Sequence, residues 1–394
     1  MGIHAGDGSK DPRSEPTPSG RMDRPRLPTT RTGRVFAAVC TVFIILILIA
    51  SPMLFERATV KVGVLVPLTG ASAYLVDVRD GMTMAAERLN RWGGINGVEI
   101  ELLIRDTESD PAVAVEAFQE LERDEKPLFY ISTMSHLTIP ISPLAEEAQV
   151  MLVGVVTSAQ NLTEGRHWTV RFYSNAQDEV DATMHTLGVL GVTDLGVVYG
   201  WDEFSVSAHA LMSEQFQASG GTIESVQLDT IDSDARDEVT SLLDREAVFI
   251  CTTAAFMPDA LRCLRENNYS GHILTASGGT SNIVRDIPES EGMYVAAPAM
   301  YNENYLPAKW LSEEYEARYG RPLTHYASCG YDILYLISGL MRDRELTRDN
   351  VHDAIEEGFV FSGTTAPLQV DPGSHDIGFD LLSARISEGR LWYL

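Results

Sequence analysis

The sequence predicts an α/β protein of two lobes preceded by one transmembrane helix. Three observations carry this. From Val60 onward, short apolar runs alternate with helical ones, the pattern of parallel sheet covered by helices. The pattern restarts near Leu195, so two lobes are expected and not one oversized sheet. Residues 35–55, VFAAVCTVFIILILIASPMLF, carry no charge. At about 1.5 Å per residue they span a hydrocarbon core about 30 Å thick.

The apolar run has no polar face, which argues against a buried core helix. Arg24, Arg26, Arg31 and Arg34 precede it. The positive-inside rule then keeps the N-terminus in the cytoplasm and puts everything after Glu56 outside. An uncleaved anchor is favoured over a cleaved signal. The run is longer than an ordinary signal core, and no clean small-x-small site follows it; Pro52 marks where cleavage would otherwise fall. Cys40 is no lipidation site, because the most hydrophobic stretch follows it. Residues 1–34 are rich in Gly, Pro, Ser, Asp and Arg and read as a disordered tail. Met22 is an alternative start.

In the exported body, residues 60–66 read as a strand and 81–92 as a helix with Met82, Ala85, Ala86 and Leu89 on its apolar face. Gly93 and Gly94 end it. Strands follow at 98–104, 128–131 and 151–156, with helices at 111–121 and 141–148. Pro111 suits a first helical turn. After the restart, strands are expected at 195–199, 223–228, 247–251, 273–276 and 293–297. Helices are expected at 205–218, about 234–244 and about 258–267. Two longer helices follow at 306–319 and about 325–341. Short strands are read at 364–370 and 377–382, and a last one within 385–394.

The chain has 394 residues, 30 basic and 56 acidic side chains, and a formal net charge of -26. The tail of residues 1–34 is net +3, whereas residues 58–394 are net -29. Such an acidic body excludes a nucleic-acid partner. It fits a salt-adapted surface whose self-repulsion salt would screen. Four cysteines exclude a disulfide-dense scaffold. Cys251 and Cys263 are close enough in sequence for a disulfide to be considered, although helix geometry argues against it. Cys329 reads as a buried small residue.

Familiar chemistry is missing. No GxGxxG follows the first strand, and no GxxxxGK[ST], HExxH or GxSxG occurs. The nine histidines form no metal-ligand spacing. No cofactor and no catalysis are expected. What is left is an exported two-lobe protein whose cleft binds something small.

Five stretches carry a resemblance: KVGVLVPLTG at 61–70, GMTMAAERLNRWGGINGVEIELLIRDTESDPAVAVEAFQEL at 81–121, PLAEEAQVMLVGVVTSAQNLT at 143–163, ASGGTIE at 218–224 and YGRPLTHYASCGYDILYLI at 319–337. In order and spacing the chain resembles the type I periplasmic solute-binding proteins, in the branch that binds leucine, isoleucine and valine and also includes receptors for urea and short amides. The resemblance spans about 60–394. It implies two Rossmann-like lobes joined by three crossover strands: 60–173 with 302–360, and 174–301 with 361–394. Ligand would lie between them, and closure would sequester it.

The resemblance also implies a site. Ser135 and His136 occupy the loop that supplies a hydroxyl and backbone N–H groups to a ligand carboxylate. Val156 and Thr157 occupy the loop that supplies a carbonyl and a threonine hydroxyl, and Thr157 is the strongest single candidate. Tyr74, Tyr199 and Trp201 match pocket-wall positions, and Phe172 lies in the first crossover. The family's acidic acceptor for a ligand ammonium falls in the loop after 273–276. Here that loop reads SGGTSNIVRD; Ser281 is the candidate, and no carboxylate matches. His136 also departs from the usual small residue. The implied function is an extracytoplasmic receptor that captures a small polar solute, expected to be an amino acid, and delivers it as a monomer to an ABC permease. The alternatives are a membrane-anchored sensing domain, or a receptor for urea, short amides or carboxylates.

Overall fold

The structure is a computed structural model. It describes residues 35–36, 39–42, 58–228 and 233–394. The tail of 1–34 and most of the 35–55 segment lie outside the described residues. Within that segment Val35, Phe36 and 39–42 are helical and exposed. Among the described residues, no helix is long and apolar enough to cross a membrane. The segment 58–394 forms one compact unit.

Its first sheet has five strands: β1 (Thr59–Val66), β2 (Glu99–Asp106), β3 (Phe129–Thr133), β4 (Met151–Val155) and β5 (Thr169–Phe172), in the order β2-β1-β3-β4-β5. All pairings are parallel. Strands covered on both faces read as continuous apolar runs. Accordingly Val62, Val64, Leu65 and Val66 of β1 and every residue of β3 and β4 are buried.

The second sheet has seven strands: β6 (Asp194–Tyr199), β7 (Thr222–Gln227), β8 (Ala247–Cys251), β9 (His272–Thr275), β10 (Tyr294–Pro298), β13 (Leu381–Ser387) and β14 (Arg390–Tyr393). Their order is β14-β13-β10-β9-β8-β6-β7. The last two strands run antiparallel to their neighbours and form a short hairpin with each other. A separate pair, β11 (Phe359–Ser362) with β12 (Pro367–Val370), is antiparallel.

Helices cover both sheets. On the first lobe α1 (Val76–Arg91) lies against α11 (His325–Leu340). The two backbones come close at glycines: a Cβ on Gly81 would sit 1.9 Å from Ala327 O, and one on Gly330 would sit 2.2 Å from Val78 O. Also in this lobe are α2 (Pro111–Asp124), the single turn α3 (Ser135–Thr138), α4 (Ser142–Ala148), α10 (Leu306–Tyr319) and α12 (Arg348–Glu356). The second lobe carries α5 (Ala176–Leu190), α6 (Glu203–Ala218), α7 (Ser233–Thr240), α8 (Met257–Glu266) and α9 (Asn282–Arg285). Local signals start several of them. Asp110 caps α2 ahead of Pro111, Asp202 caps α6, Thr324 caps α11, and Asn175 with Asp178 forms a capping box on α5.

The expected βα order is present, with ends shifted by a few residues. Six elements were not anticipated: β5, β11, α5, α12 and the single turns α3 and α9. The strand read at 377–382 falls later, as β13. Residues Leu368, Val370, Ile377 and Phe379 join the core of the first lobe, so the chain re-enters the second sheet near Leu381 and not near residue 361. No disulfide joins Cys251 and Cys263. Each sulfur faces a different backbone oxygen, that of Ser205 for Cys251 and that of Arg236 for Cys263. Cys329 is buried in the first core.

Candidate functional site

Parallel strands present their carboxyl ends to the cleft, and ligands of open α/β sheets bind there. The loops after β1, β3 and β4 meet those after β6, β8 and β9. Two chambers lie between them. An inner one of about 60 Å³ is walled by Tyr74, Ser135, His136, Val156 and Ser158 on one side and by Glu179, Asp202, Thr252 and Ser277 on the other; Tyr173 and Tyr326 also line it. An adjoining outer one of about 440 Å³ shares Met134, His136, Asp202, Thr252 and Thr253 with it and is lined also by Ser72, Trp201, Glu203 and Phe256.

Backbone conformation marks the inner wall. Met134, just past β3, has φ 66°, and Val156, just past β4, has φ 57°. A β-branched residue in this region is strained by about 1–3 kcal/mol, and such strain concentrates at ligand sites. The reversal at Val156 moves the next residues by one register. Thr157, fully buried, donates its hydroxyl to Gly154 O at 2.9 Å and stands behind the wall. Ser158 lines the chamber in its place.

The other expected residues divide similarly. Tyr74, Ser135, His136 and Val156 line the inner chamber, and Trp201 with His136 lines the outer. Phe172 is buried in the first core while its neighbour Tyr173 faces the cleft. Tyr199 lies flat on His209, ring centroids 3.8 Å apart, and lines neither chamber. Ser281 starts α9 and is buried; Ser277, four residues earlier, reaches the chamber. A 3-10 turn, Ser277–Thr280, causes that offset.

Tyr74 bridges the lobes. Burial and the Asp202 carboxylate push its hydroxyl's pKa up, and a hydrogen bond with the Ala254 backbone works against them. Its ring also packs against Tyr326, centroids 5.7 Å apart. The Ser135 hydroxyl accepts from Ala159 N–H at 3.1 Å, which leaves its own proton for a ligand. Arg171 braces this wall from behind. Its guanidinium donates to Thr157 O at 3.1 Å, to Ala159 O at 2.7 Å and to Asp376 Oδ1 at 2.8 Å.

Glu179 is the residue that sequence reasoning missed. It sits in the first turn of α5 and is 1% exposed. Its two oxygens accept from Ser277, one from the amide at 2.7 Å and one from the hydroxyl at 2.5 Å. Burial pushes its carboxyl up to about 7, against the pull of the two Ser277 hydrogen bonds. A carboxylate therefore does stand beside the loop after β9, although another helix carries it. The signal was present: Asn175 and Asp178 spell a capping box ahead of Val180, Met184 and Leu187. Among the described residues, no three His, Cys, Asp or Glu side chains gather as a metal site.

Comparison with known proteins bears on this geometry. Residues 59–390 match the family described as periplasmic binding protein. Over 112 residues the chain is 35% identical to the chemotactic signal transduction system substrate-binding protein BasB of Halobacterium salinarum, 27% of each chain. Over 138 residues it is 30% identical to the leucine-, isoleucine-, valine-, threonine- and alanine-binding protein of Pseudomonas aeruginosa, 34% of this chain and 35% of that one. These matches thus span about a quarter to a third of the relatives' length. Among solved structures, the leucine-binding protein LivK of Thermotoga maritima superposes with a TM-score of 0.78 at 22% identity, over 85% of this chain and 98% of that one. LivJ of Streptococcus pneumoniae, in complex with isoleucine, gives 0.76 at 18% identity, over 85% and 98%. The chain belongs to the periplasmic binding protein family, and its two-lobe α/β fold is that of these solved structures. Family membership implies an extracytoplasmic location.

Proposed function

We propose that the inner chamber binds the head group of an α-amino acid and that the protein delivers it to an ABC permease. The observation that carries this reading is Glu179. Its carboxylate, buried in one wall, faces the Ser135 and Ser158 side of the other. A ligand ammonium would be paired at Glu179, and the ligand carboxylate would meet the serine hydroxyls. Charge pairing out of water needs such partners on both ends. Tyr74 and Tyr326 would cover the head group once the lobes close. Thr157, Phe172, Tyr199 and Ser281 act in this reading as supports of the wall. The 35–55 segment would keep the receptor near its permease, with the protein working as a monomer.

A second reading has one observation behind it. The relative from Halobacterium salinarum is named as part of a chemotactic signal transduction system. In that reading the same closure reports ligand to a membrane partner.

The test is a thermal-shift screen of the purified protein with aliphatic, polar, acidic and basic amino acids, urea, acetamide and small carboxylates. A ligand held only by the folded form raises the melting point by mass action. A shift with α-amino acids that Glu179→Gln abolishes is the expected result. Shifts only with urea, acetamide or carboxylates would sink the amino-acid reading.

A further inference from the structure

The two chambers differ sevenfold in size, at about 60 and about 440 Å³. A water needs about 10–15 Å³ of such space, so the inner chamber holds about four to six non-hydrogen atoms. The head group of an α-amino acid fits that allowance. Any longer side chain must run past Met134 and Asp202, which line both chambers, into the outer one.

The outer chamber has its own chemistry. Trp201 is 61% and Phe256 39% exposed, so two large aromatic side chains stand ready on its wall. Asp202 is already occupied as the cap of α6, accepting from Ser205 N–H at 3.1 Å and from its hydroxyl at 2.6 Å. Glu203 is different. Its Oε2 atom is shut off from solvent and accepts no hydrogen bond from the described residues, a costly condition for a carboxylate. Among the described residues, no lysine or arginine lines either chamber.

We propose that the cleft takes one elongated α-amino acid whose side chain ends in an ammonium or guanidinium group, with that cation in the outer chamber beside Glu203 and its stem against Trp201 and Phe256. This rests on the reading of the inner chamber as an α-amino-acid head-group site. The Glu203 carboxylate, which lines the outer chamber, gains a cationic partner. The aromatic faces add cation–π attraction in a partly desolvated place. An acidic side chain would meet Asp202 and Glu203 with no compensating cation.

The experiment is calorimetric titration of the full chain, stripped of carried ligand by unfolding and refolding. The ligands are alanine, norleucine, lysine, arginine and glutamate. Lysine and arginine are expected to bind about tenfold tighter than norleucine, and glutamate weakest of all. Glu203→Gln should bring lysine and norleucine to within about threefold of each other. Trp201→Ala, at an exposed position, should weaken lysine and arginine several-fold without a change in melting temperature. The proposal is overturned if norleucine binds as well as lysine, or if the lysine preference survives in Glu203→Gln. Silence toward all five ligands would overturn the head-group reading itself.

Discussion

Glu179 and His325 stand at opposite ends of one buried hydrogen-bonded chain. Ser277 Oγ is 2.5 Å from Glu179 Oε1, Tyr173 OH is 2.8 Å from Ser277 Oγ, and His325 Nε2 is 2.7 Å from Tyr173 OH. Each hydroxyl has one proton, so the chain has one direction at a time. With Glu179 ionised, Ser277 donates to it, Tyr173 donates to Ser277, and His325 must carry its proton on Nε2. With Glu179 protonated the direction reverses, and the His325 proton moves to Nδ1, 2.8 Å from Thr280 Oγ1. Ligand charge in the cleft thus reads out on a histidine of the other lobe. Nitrogen NMR of labelled histidine should show the Nδ1–H tautomer in the empty protein below pH 7, and the Nε2–H tautomer with an ammonium ligand bound. The same tautomer in both states would refute the coupling.

The same two residues make opposite contributions to stability against pH. The Glu179 carboxyl, raised by burial to about 7, keeps its proton when folded and loses it when unfolded. Its contribution is present below the unfolded value and lost as pH rises through 7. His325 is lowered to about 3 by burial and by the Arg285 charge. Its contribution is present above the unfolded value near 6.5 and lost as pH falls toward 3. Between about pH 4.5 and 6.5 the two slopes cancel. Denaturant titrations across this window separate them. Relative to the parent, Glu179→Gln should gain stability as pH rises, by up to about 3 kcal/mol. His325→Gln should lose stability with the same rise. Parallel curves for all three proteins would contradict both assignments.

Arg171 and Asp376 form an unequal ion pair. The arginine side chain is 1% exposed and the aspartate 42%. Asp376→Asn should therefore cost less than about 1 kcal/mol, since its partner keeps two carbonyl acceptors. Arg171→Met strips Thr157 O and Ala159 O of their donor inside the protein. It should cost about 3 kcal/mol and weaken ligand binding by loosening the Ser158 wall. Urea unfolding of the two variants, with ligand titration, checks the asymmetry.

Gly330 lies where α11 crosses α1. Its missing Cβ leaves room for Val78 O, which a methyl group would meet at 2.2 Å. Backbone cannot step aside as a flexible side chain can. Gly330→Ala should destabilise by about 1–3 kcal/mol or more despite its better helix propensity. Gly339→Ala, in the same helix with nothing within 4 Å, should be neutral or stabilising. Melting temperatures of the pair measure the contrast.

Much of the fold was legible because β4 is apolar throughout, β1 and β3 are mostly so, and the helices between them show their periodicity. β5 was missed because TVRF carries a charged side chain that finds its partners inside. The site was legible only by loop. Thr157 was the natural choice beside Val156, since nothing in a valine announces a left-handed backbone. That reversal hands the cleft to Ser158. Tyr173 and Ser277 lie near expected positions for a related reason: loop register is set by turn geometry and not by side-chain type. Glu179 escaped because the ammonium acceptor was sought in the loop after β9, while the carboxylate reaches that loop from α5.

The core of the first lobe contains both Val60 and Phe379, which lie near opposite ends of the compact unit. A ribosome adds about 5–20 residues per second, so the earliest strand waits many seconds for its last packing partners. Neither lobe can be finished as an independent piece during synthesis. A chain cut short before Phe379 would leave apolar surface exposed in the first lobe and would lack the two edge strands of the second. The interval in which the first lobe is vulnerable to aggregation therefore lasts until Phe379 has been made and packed.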